Sequence, residues 1–273
     1  MLGRDLSTAL IGRDVTALGR AELDVTDLDA VRAAVAGHDI VINSAAYTKV
    51  DEAESDEETA RAVNAIGAGN LALAASEIGA IVVQVSTDYV FDGTAVEPYP
   101  EDTERKPVSA YGRTKAEGER LVLLNNGARS YIVRTAWLYG AHGPNFGKTM
   151  LRVASQRDEV TVVTDQIGQP TWTRDLAERI VLMLDNDAPF GIYHGTNSGA
   201  ASWYDFARAV FSNAGLDADR VKPTDSSAFV RPAPRPAYSV LGSGAWDAAG
   251  LAPLRAWDIA LLDAMRQGVM EHE

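Results

Sequence analysis

The chain has 273 residues, 46% hydrophobic and 23% charged, a balance that builds a packed core and excludes collagen, coiled coil and wholesale disorder. Lys+Arg 25 against Asp+Glu 38 leave a net charge of −13, which repels nucleic-acid phosphate and anionic lipid alike. No stretch approaches the roughly 20 apolar residues of a membrane span, no basic-then-apolar leader opens the chain, no cysteine is present, and His38, His142, His194 and His272 lack ligand spacing, so the expectation is a cytoplasmic protein without metal or thiol chemistry.

In chain order, Leu2 to Ile11 reads as a helix, Asp14 to Leu18 as a strand, Asp27 to Ala36 as a helix with Thr26 as N-cap, and Asp39 to Asn43 as a strand. A long helix follows around Glu57 to Gly79. Next come the near-continuous apolar strand Ile81 to Val85, a helix over Ala110 to Leu124 and a strand over Tyr131 to Thr135. Short β-branched runs alternating with Ala-rich helices predict βαβ units and a doubly wound parallel sheet. Beyond Tyr139 the pattern loosens: a strand at Val160 to Val163, a helix at Asp175 to Leu184 returning to the sheet, a helix at Trp203 to Asn213, a Pro-rich stretch at Arg231 to Pro236 and a C-terminal helix from Trp257 to about Val269. The acidic run Asp51 to Glu58 reads as a solvated helix start whose charges oppose the positive end of the helix dipole.

Tyr111 and Lys115 stand four apart in a helical stretch, hence on one face. An ammonium beside a phenol draws its pKa of about 10 toward neutrality, so the Tyr can exchange a proton with an alcohol or carbonyl oxygen. Alone, the spacing equally fits two residues on an exposed helix face. Thr87 closes the buried strand at Ser86-Thr87-Asp88, where open parallel sheets bind ligands, and its hydroxyl can hold the oxygen that Tyr111 protonates or simply cap the strand end. Asn43-Ser44-Ala45-Ala46 ends another strand with side chains small enough for a flat cofactor to approach the backbone, or merely to pack.

These residues resemble the extended short-chain dehydrogenase/reductases and, within them, the dTDP-4-dehydrorhamnose reductase family, nearly end to end. The landmarks are Asn43 to Tyr47, Val63-Asn64, Ser86 to Gly93, Tyr111 to Lys115, Arg134 to Gly140, Asn145-Phe146, Asp165 to Thr171, Gly191 to His194, Ser202-Trp203 and Arg235 to Leu241. The resemblance implies an α/β, Rossmann-type doubly wound parallel sheet with a smaller C-terminal substrate lobe. Residues 1–145 would form the dinucleotide-binding domain, joined by 159–184, with 146–158 and 185–273 as the lobe. It implies Thr87, Tyr111 and Lys115 as the catalytic trio. It also implies cofactor contacts at Gly3, Asp24, Val25, Ala45, Ala46, Tyr47, Val85, Tyr111 and Lys115, and contacts of a dTDP-sugar with Thr87, Asp88 and Trp137.

The implied reaction is hydride delivery from NADPH, with NADH as the alternative, to C4 of a dTDP-4-keto-6-deoxy-L-hexose, foremost dTDP-4-dehydro-L-rhamnose. Arg20 after Gly19, where an acidic residue would select NADH, leans to the 2′-phosphate of NADPH or else faces solvent. Lys148, Arg152, Lys222, Arg231 and Arg235 are the cations available to a diphosphate. Asp88 is followed by Tyr89 where the related 4,6-dehydratases carry Glu, which disfavours dehydration. Two features depart from the family pattern: Tyr238 replaces the usual Asn, and Gly3 resembles the last glycine of a phosphate-cradling turn whose first strand and earlier glycines are not in this sequence, as if the chain were shortened at its start. A sugar-nucleotide epimerase and a non-catalytic regulatory subunit like that of methionine adenosyltransferase stay open, as do monomer and homodimer.

Overall fold

The structure, a computed structural model, describes residues 1–270; His272 lies outside them. The chain opens with α1 (Leu2–Ala9), which buries Leu2 and Leu6. Residues 14–18, expected as a strand, are not one: they are exposed, and their backbone makes no hydrogen bond to another backbone group. The alternation of Val15 and Ala17 suits a pleat, but a strand exists only as a member of a ladder, and here no neighbouring backbone supplies one.

Next comes α2 (Leu28–Val35), capped by Asp27 rather than by Thr26. The Asp27 carboxylate accepts from the backbone of Asp29 and Ala30, while the Thr26 hydroxyl donates to Asp24 at 2.7 Å. After β1 (Ile40–Asn43) and α3 (Val50–Ala53), the long helix expected over 57–79 is broken into α4 (Glu57–Arg61), a π-helical stretch (Ala62–Gly67) and α5 (Ala68–Ile78). The first half of the chain is completed by β2 (Ile81–Thr87), α6 (Ala110–Asn126) and β3 (Ser130–Thr135). The second half runs β4 (Leu138–Tyr139), α7 (Phe146–Ala154), β5 (Val160–Val163), β6 (Ile167–Gly168), β7 (Thr171–Trp172), α8 (Thr173–Asp185), β8 (Gly191–His194), β9 (Ala201–Ser202), α9 (Trp203–Asn213), β10 (Val221–Thr224), α10 (Gly244–Ala248) and α11 (Trp257–Arg266).

The main sheet has the order β1-β2-β3-β8, parallel throughout. Its strands are covered on both faces, which explains why they read as unbroken apolar runs. Val82 and Ile132 point into one core with α2, α5 and α6, and Val83, Val85, Tyr131 and Val133 into the other with α1, α8 and α10. A third core gathers α7, α9 and α11 around Phe206, Phe211 and Leu261. Two segments lie elsewhere than the sequence boundaries placed them. Val160–Val163 pairs with β10 beside this third core instead of joining the main sheet, and Gly191–His194 joins the main sheet although it falls in the stretch assigned to the lobe. Among the described residues no helix is long and apolar enough to cross a membrane.

Candidate active site

Parallel strands that end together leave a crevice at their carboxyl ends. At the end of β2, the Thr87 hydroxyl accepts from Tyr89 N at 3.2 Å and donates to Asp88 Oδ1 at 2.9 Å, so it caps the following turn and also holds the carboxylate. Asp88 is 2% exposed. Burial raises its carboxyl from the usual 3.8 to about 6, against the pull of Ser239 and Thr87. The Ser239 hydroxyl favours the charge from nearby, yet no hydrogen bond closes on Oδ2.

The opposite wall is α6, started by Ser109, whose hydroxyl accepts from Gly112 N at 3.1 Å. Two glycines let this helix come close: a Cβ on Gly112 would stand 2.2 Å from Tyr89 O, and one on Gly118 2.2 Å from Asn64 O. Lys115 is thereby buried, and its Nζ donates to Val85 O at 2.7 Å, which ties α6 to β2. Burial lowers the Lys115 ammonium from 10.5 to about 8, with Glu119 opposing the fall.

Tyr111 departs from the expectation drawn from its spacing to Lys115. The residue is half-buried, and burial of the phenol together with the nearby Asp88 charge pushes it up, outweighing the Thr87 hydroxyl. Tyr111 is therefore a neutral phenol, a proton donor rather than a phenolate. The Tyr89 and Tyr111 rings stand edge to face, with centroids 5.6 Å apart.

Of the residues expected at the cofactor, Gly3, Arg20, Asp24, Val25, Ala45, Ala46 and Tyr47 line one cavity of 1410 Å³; Val85, Tyr111 and Lys115 stand outside its lining. The two groups meet at Tyr47, which packs with Tyr111 against Ala53, Ala60 and Ala110. Asn64 fixes that junction: it accepts from Tyr47 N at 2.8 Å and donates to Tyr47 O at 3.2 Å and to the Thr114 hydroxyl of α6 at 3.1 Å. Asn64 sits in the π-helical stretch, whose extra residue per turn interrupts the regular ladder.

A dinucleotide suits the cavity. Ala45 and Ala46 present little bulk, Arg20 offers a cation, and Met1, Leu2 and Gly3 bring the first turn of α1, whose N–H groups lack intrahelical acceptors.

Trp137 belongs with the lobe core. It holds a left-handed backbone (φ 45°) and stacks on Trp203 with ring centroids 3.6 Å apart. The acidic run is not simply solvated: Asp51 binds Arg235 at 2.9 Å, Glu54 accepts from Ala110 N at 2.8 Å, and Glu57 pairs with Arg113 at 2.7 Å. Lys222 is paired with Glu159, and Lys148 donates to Ala141 O. Sequence reasoning missed Glu119, whose only early signal is its place four residues beyond Lys115 on the same helix face. It passed over a functional reading of Asn64 and Arg134, which stood in the motifs quoted above.

Residues 1–270 match the family described as RmlD substrate binding domain. The chain is 52% identical to a dTDP-4-dehydrorhamnose reductase of Streptomyces griseus, over 97% of this chain and 90% of that protein. It is 47% identical to a dTDP-4-keto-6-deoxy-D-glucose reductase of Streptomyces niveus, over 97% and 93% of the two. A crystal structure of dTDP-4-dehydrorhamnose reductase from Bacillus anthracis in complex with NADP superposes with a TM-score of 0.94 at 37% identity, covering 97% of this chain and 95% of that one.

Proposed function

The chain belongs to the RmlD substrate binding domain family, and from that premise we propose that it is an NADPH-dependent reductase of the C4 keto group of a dTDP-4-keto-6-deoxy-L-hexose, foremost dTDP-4-dehydro-L-rhamnose. The observation that carries this reading is the arrangement at the carboxyl end of β2, where Thr87 ends the strand, the buried Lys115 of α6 donates to Val85 O, and Tyr111 stands one helical turn before Lys115 with its phenol raised by burial. Reduction of a ketone needs a proton at oxygen as well as a hydride at carbon, and a phenol kept protonated by burial and by the Asp88 charge is poised to give one. NADPH supplies the hydride.

The Thr87 hydroxyl turns its one proton from Asp88 to the keto oxygen of the bound sugar, and Tyr111 releases its own proton to that oxygen as the C–O π electrons move onto it. The Lys115 ammonium favours the phenolate that remains and binds the nicotinamide ribose. Asp88, with Oδ2 free of protein partners, accepts from a sugar hydroxyl. The dinucleotide would be held by the cavity residues Gly3, Asp24, Val25, Ala45, Ala46 and Tyr47, with Val85 outside the lining beside it, and Arg20 would be the cation available to a 2′-phosphate.

The test is incubation with NADPH carrying deuterium at the transferable position and the 4-keto sugar nucleotide, with the product read by NMR. Deuterium at sugar C4 in a new carbinol is expected. A protein that binds NADPH but leaves every such sugar unreduced contradicts the proposal.

A further inference from the structure

Two rows of side chains run along the face of the main sheet that packs against α1, α8 and α10. Alternate residues of a strand share a face, so the row on β2 is Val83, Val85, Thr87 and the row on β3 is Tyr131, Val133, Thr135. Each row is apolar or aromatic until its last member. The register pairs Thr87 with Thr135, so two threonines end adjacent strands side by side, with backbones about 4.8 Å apart.

Thr135 is 5% exposed, and its hydroxyl has no hydrogen-bond partner among the described residues. A valine would fill the same volume and continue the row, so the hydroxyl is destabilising in the unliganded protein. Its neighbours supply no partner. Ser86 and Arg134 lie on the opposite face, where Ser86 donates to Glu119 Oε1 at 2.5 Å and Arg134 grips both Glu119 oxygens at 2.9 and 2.8 Å. Toward β8, the residue after His194 is Gly195, which donates its N–H to Arg134 O at 2.7 Å and has no side chain to offer.

A second orphan stands after Thr87. Asp88 Oδ1 accepts from the Thr87 hydroxyl at 2.9 Å, and Oδ2 has no partner among the described residues. The third buried polar atom in this condition, the Tyr139 hydroxyl, belongs to a residue of the lobe core. The first two stand where parallel sheets take ligands, at the carboxyl ends of neighbouring strands, and they are complementary. Oδ2 only accepts and the threonine hydroxyl donates, so one ligand hydroxyl, donating to the first and accepting from the second, satisfies both. A phosphate, which only accepts, is repelled by Asp88.

We propose that Thr135 is a substrate-binding residue: its hydroxyl and Asp88 Oδ2 together form a subsite for one ring hydroxyl of the sugar. The proposal deepens the reductase reading and rests on it for the identity of the ligand. Thr87, Asp88 and Thr135 all stand outside the cavity proposed for the dinucleotide, which favours the sugar over the cofactor. Thr87 serves the oxygen at C4, so the hydroxyl held by Thr135 is the one at C2 or C3. The subsite then selects hexoses that carry it over those deoxygenated there.

The experiment measures binding without turnover: dTDP-L-rhamnose and dTDP are titrated into NADPH-loaded parent, Thr135→Val and Thr135→Ser, and NADPH into each protein alone. Thr135→Val unfolds at or above the temperature of the parent, keeps its affinities for NADPH and dTDP, and binds dTDP-L-rhamnose about 3- to 10-fold more weakly; Thr135→Ser restores the binding. The 2-deoxy and 3-deoxy analogues of the sugar nucleotide test the parent itself, and one of them binds it more weakly by a similar factor. Parent-like binding of dTDP-L-rhamnose by Thr135→Val overturns the proposal. So does an equal loss for dTDP, or a loss confined to NADPH, which would give the hydroxyl to the nicotinamide. If Thr135→Val does not fold, the analogues decide, and equal binding of all three sugar nucleotides by the parent overturns the proposal. The expected pattern in a protein that reduces no 4-keto sugar keeps the subsite and sinks the reductase reading; sugar reduction with parent-like binding in Thr135→Val does the reverse.

Discussion

On the α6 side of the cleft, Lys115, Glu119 and Arg134 are 4, 0 and 1% exposed and joined to β2, β3 and the loop before α6 by bonds of 2.5 to 3.2 Å. On the side of residues 11–20 every residue is exposed. The stretch 14–18 has no backbone partner, and its neighbourhood is held by the Arg13–Asp185 pair at 2.6 Å and a His38–Thr16 contact at 3.0 Å. The first region is closed by its own contacts, and the second borders an open cavity. The groups proposed to move a proton are therefore fixed by contacts within the chain, while the stretch 14–18 beside the proposed dinucleotide cavity has few contacts of its own.

The largest effect comes from breaking the finished wall. Glu119→Ala strands Arg134 in the interior and costs about 3–5 kcal/mol in urea unfolding, whereas replacing both partners by apolar residues of similar volume recovers most of the loss. A smaller cost in the single variant would mean that water reaches the pair.

Asp88 is next. Its folded pKa of about 6 is raised above 3.8, so its favourable contribution is complete below about pH 4 and is lost as pH rises through 6. Asp88→Asn therefore stabilises the protein at neutral pH by on the order of 3 kcal/mol and by nothing at pH 4. Denaturation curves at the two pH values check the sign, and an equal gain at both would show that the carboxyl is not desolvated.

The open wall responds to ligand. NADPH at about a hundred times its Kd raises stability by about 2.7 kcal/mol. Hydrogen exchange should slow for residues 14–20 and stay as it was in β2 and β3. Slowing confined to the sheet would reverse the contrast between the walls. Side-chain trimming gives the finest comparison: Ile132→Val in the sheet costs about 0.5–1.5 kcal/mol, while Leu18→Ala, at a residue 45% exposed, costs less than about 0.5 kcal/mol.

The same contrast explains what could be read from the sequence. β2 and α9 were legible because burial on both faces, or an amphipathic pattern after a Ser202 cap, writes itself into consecutive residues. Residues 14–18 misled because alternation signals a pleat but cannot supply the neighbour that completes it. The break in the helix over 57–79 was hidden because Asn64 earns its place through Tyr47 and Thr114, 17 and 50 residues away. The helix over Tyr111 and Lys115 was legible, and it puts the two one turn apart. It could not show that burial and Asp88 hold the phenol protonated, because that depends on groups folded against the site and not on the helix. The pairing of β5 with β10 rather than with the main sheet is likewise a long-range choice, which a four-residue apolar run does not encode.

The central claim is that Tyr111, held as a neutral phenol in a prebuilt wall, gives the proton for carbonyl reduction. The most direct measurement is NADPH consumption with a dTDP-4-keto-6-deoxy-L-hexose, comparing the parent with Tyr111→Phe at matched NADPH saturation. The account predicts turnover in the parent and a loss of about 10²–10⁴-fold in kcat in the variant, with NADPH affinity kept. A Tyr111→Phe protein that reduces the sugar as fast as the parent would contradict it.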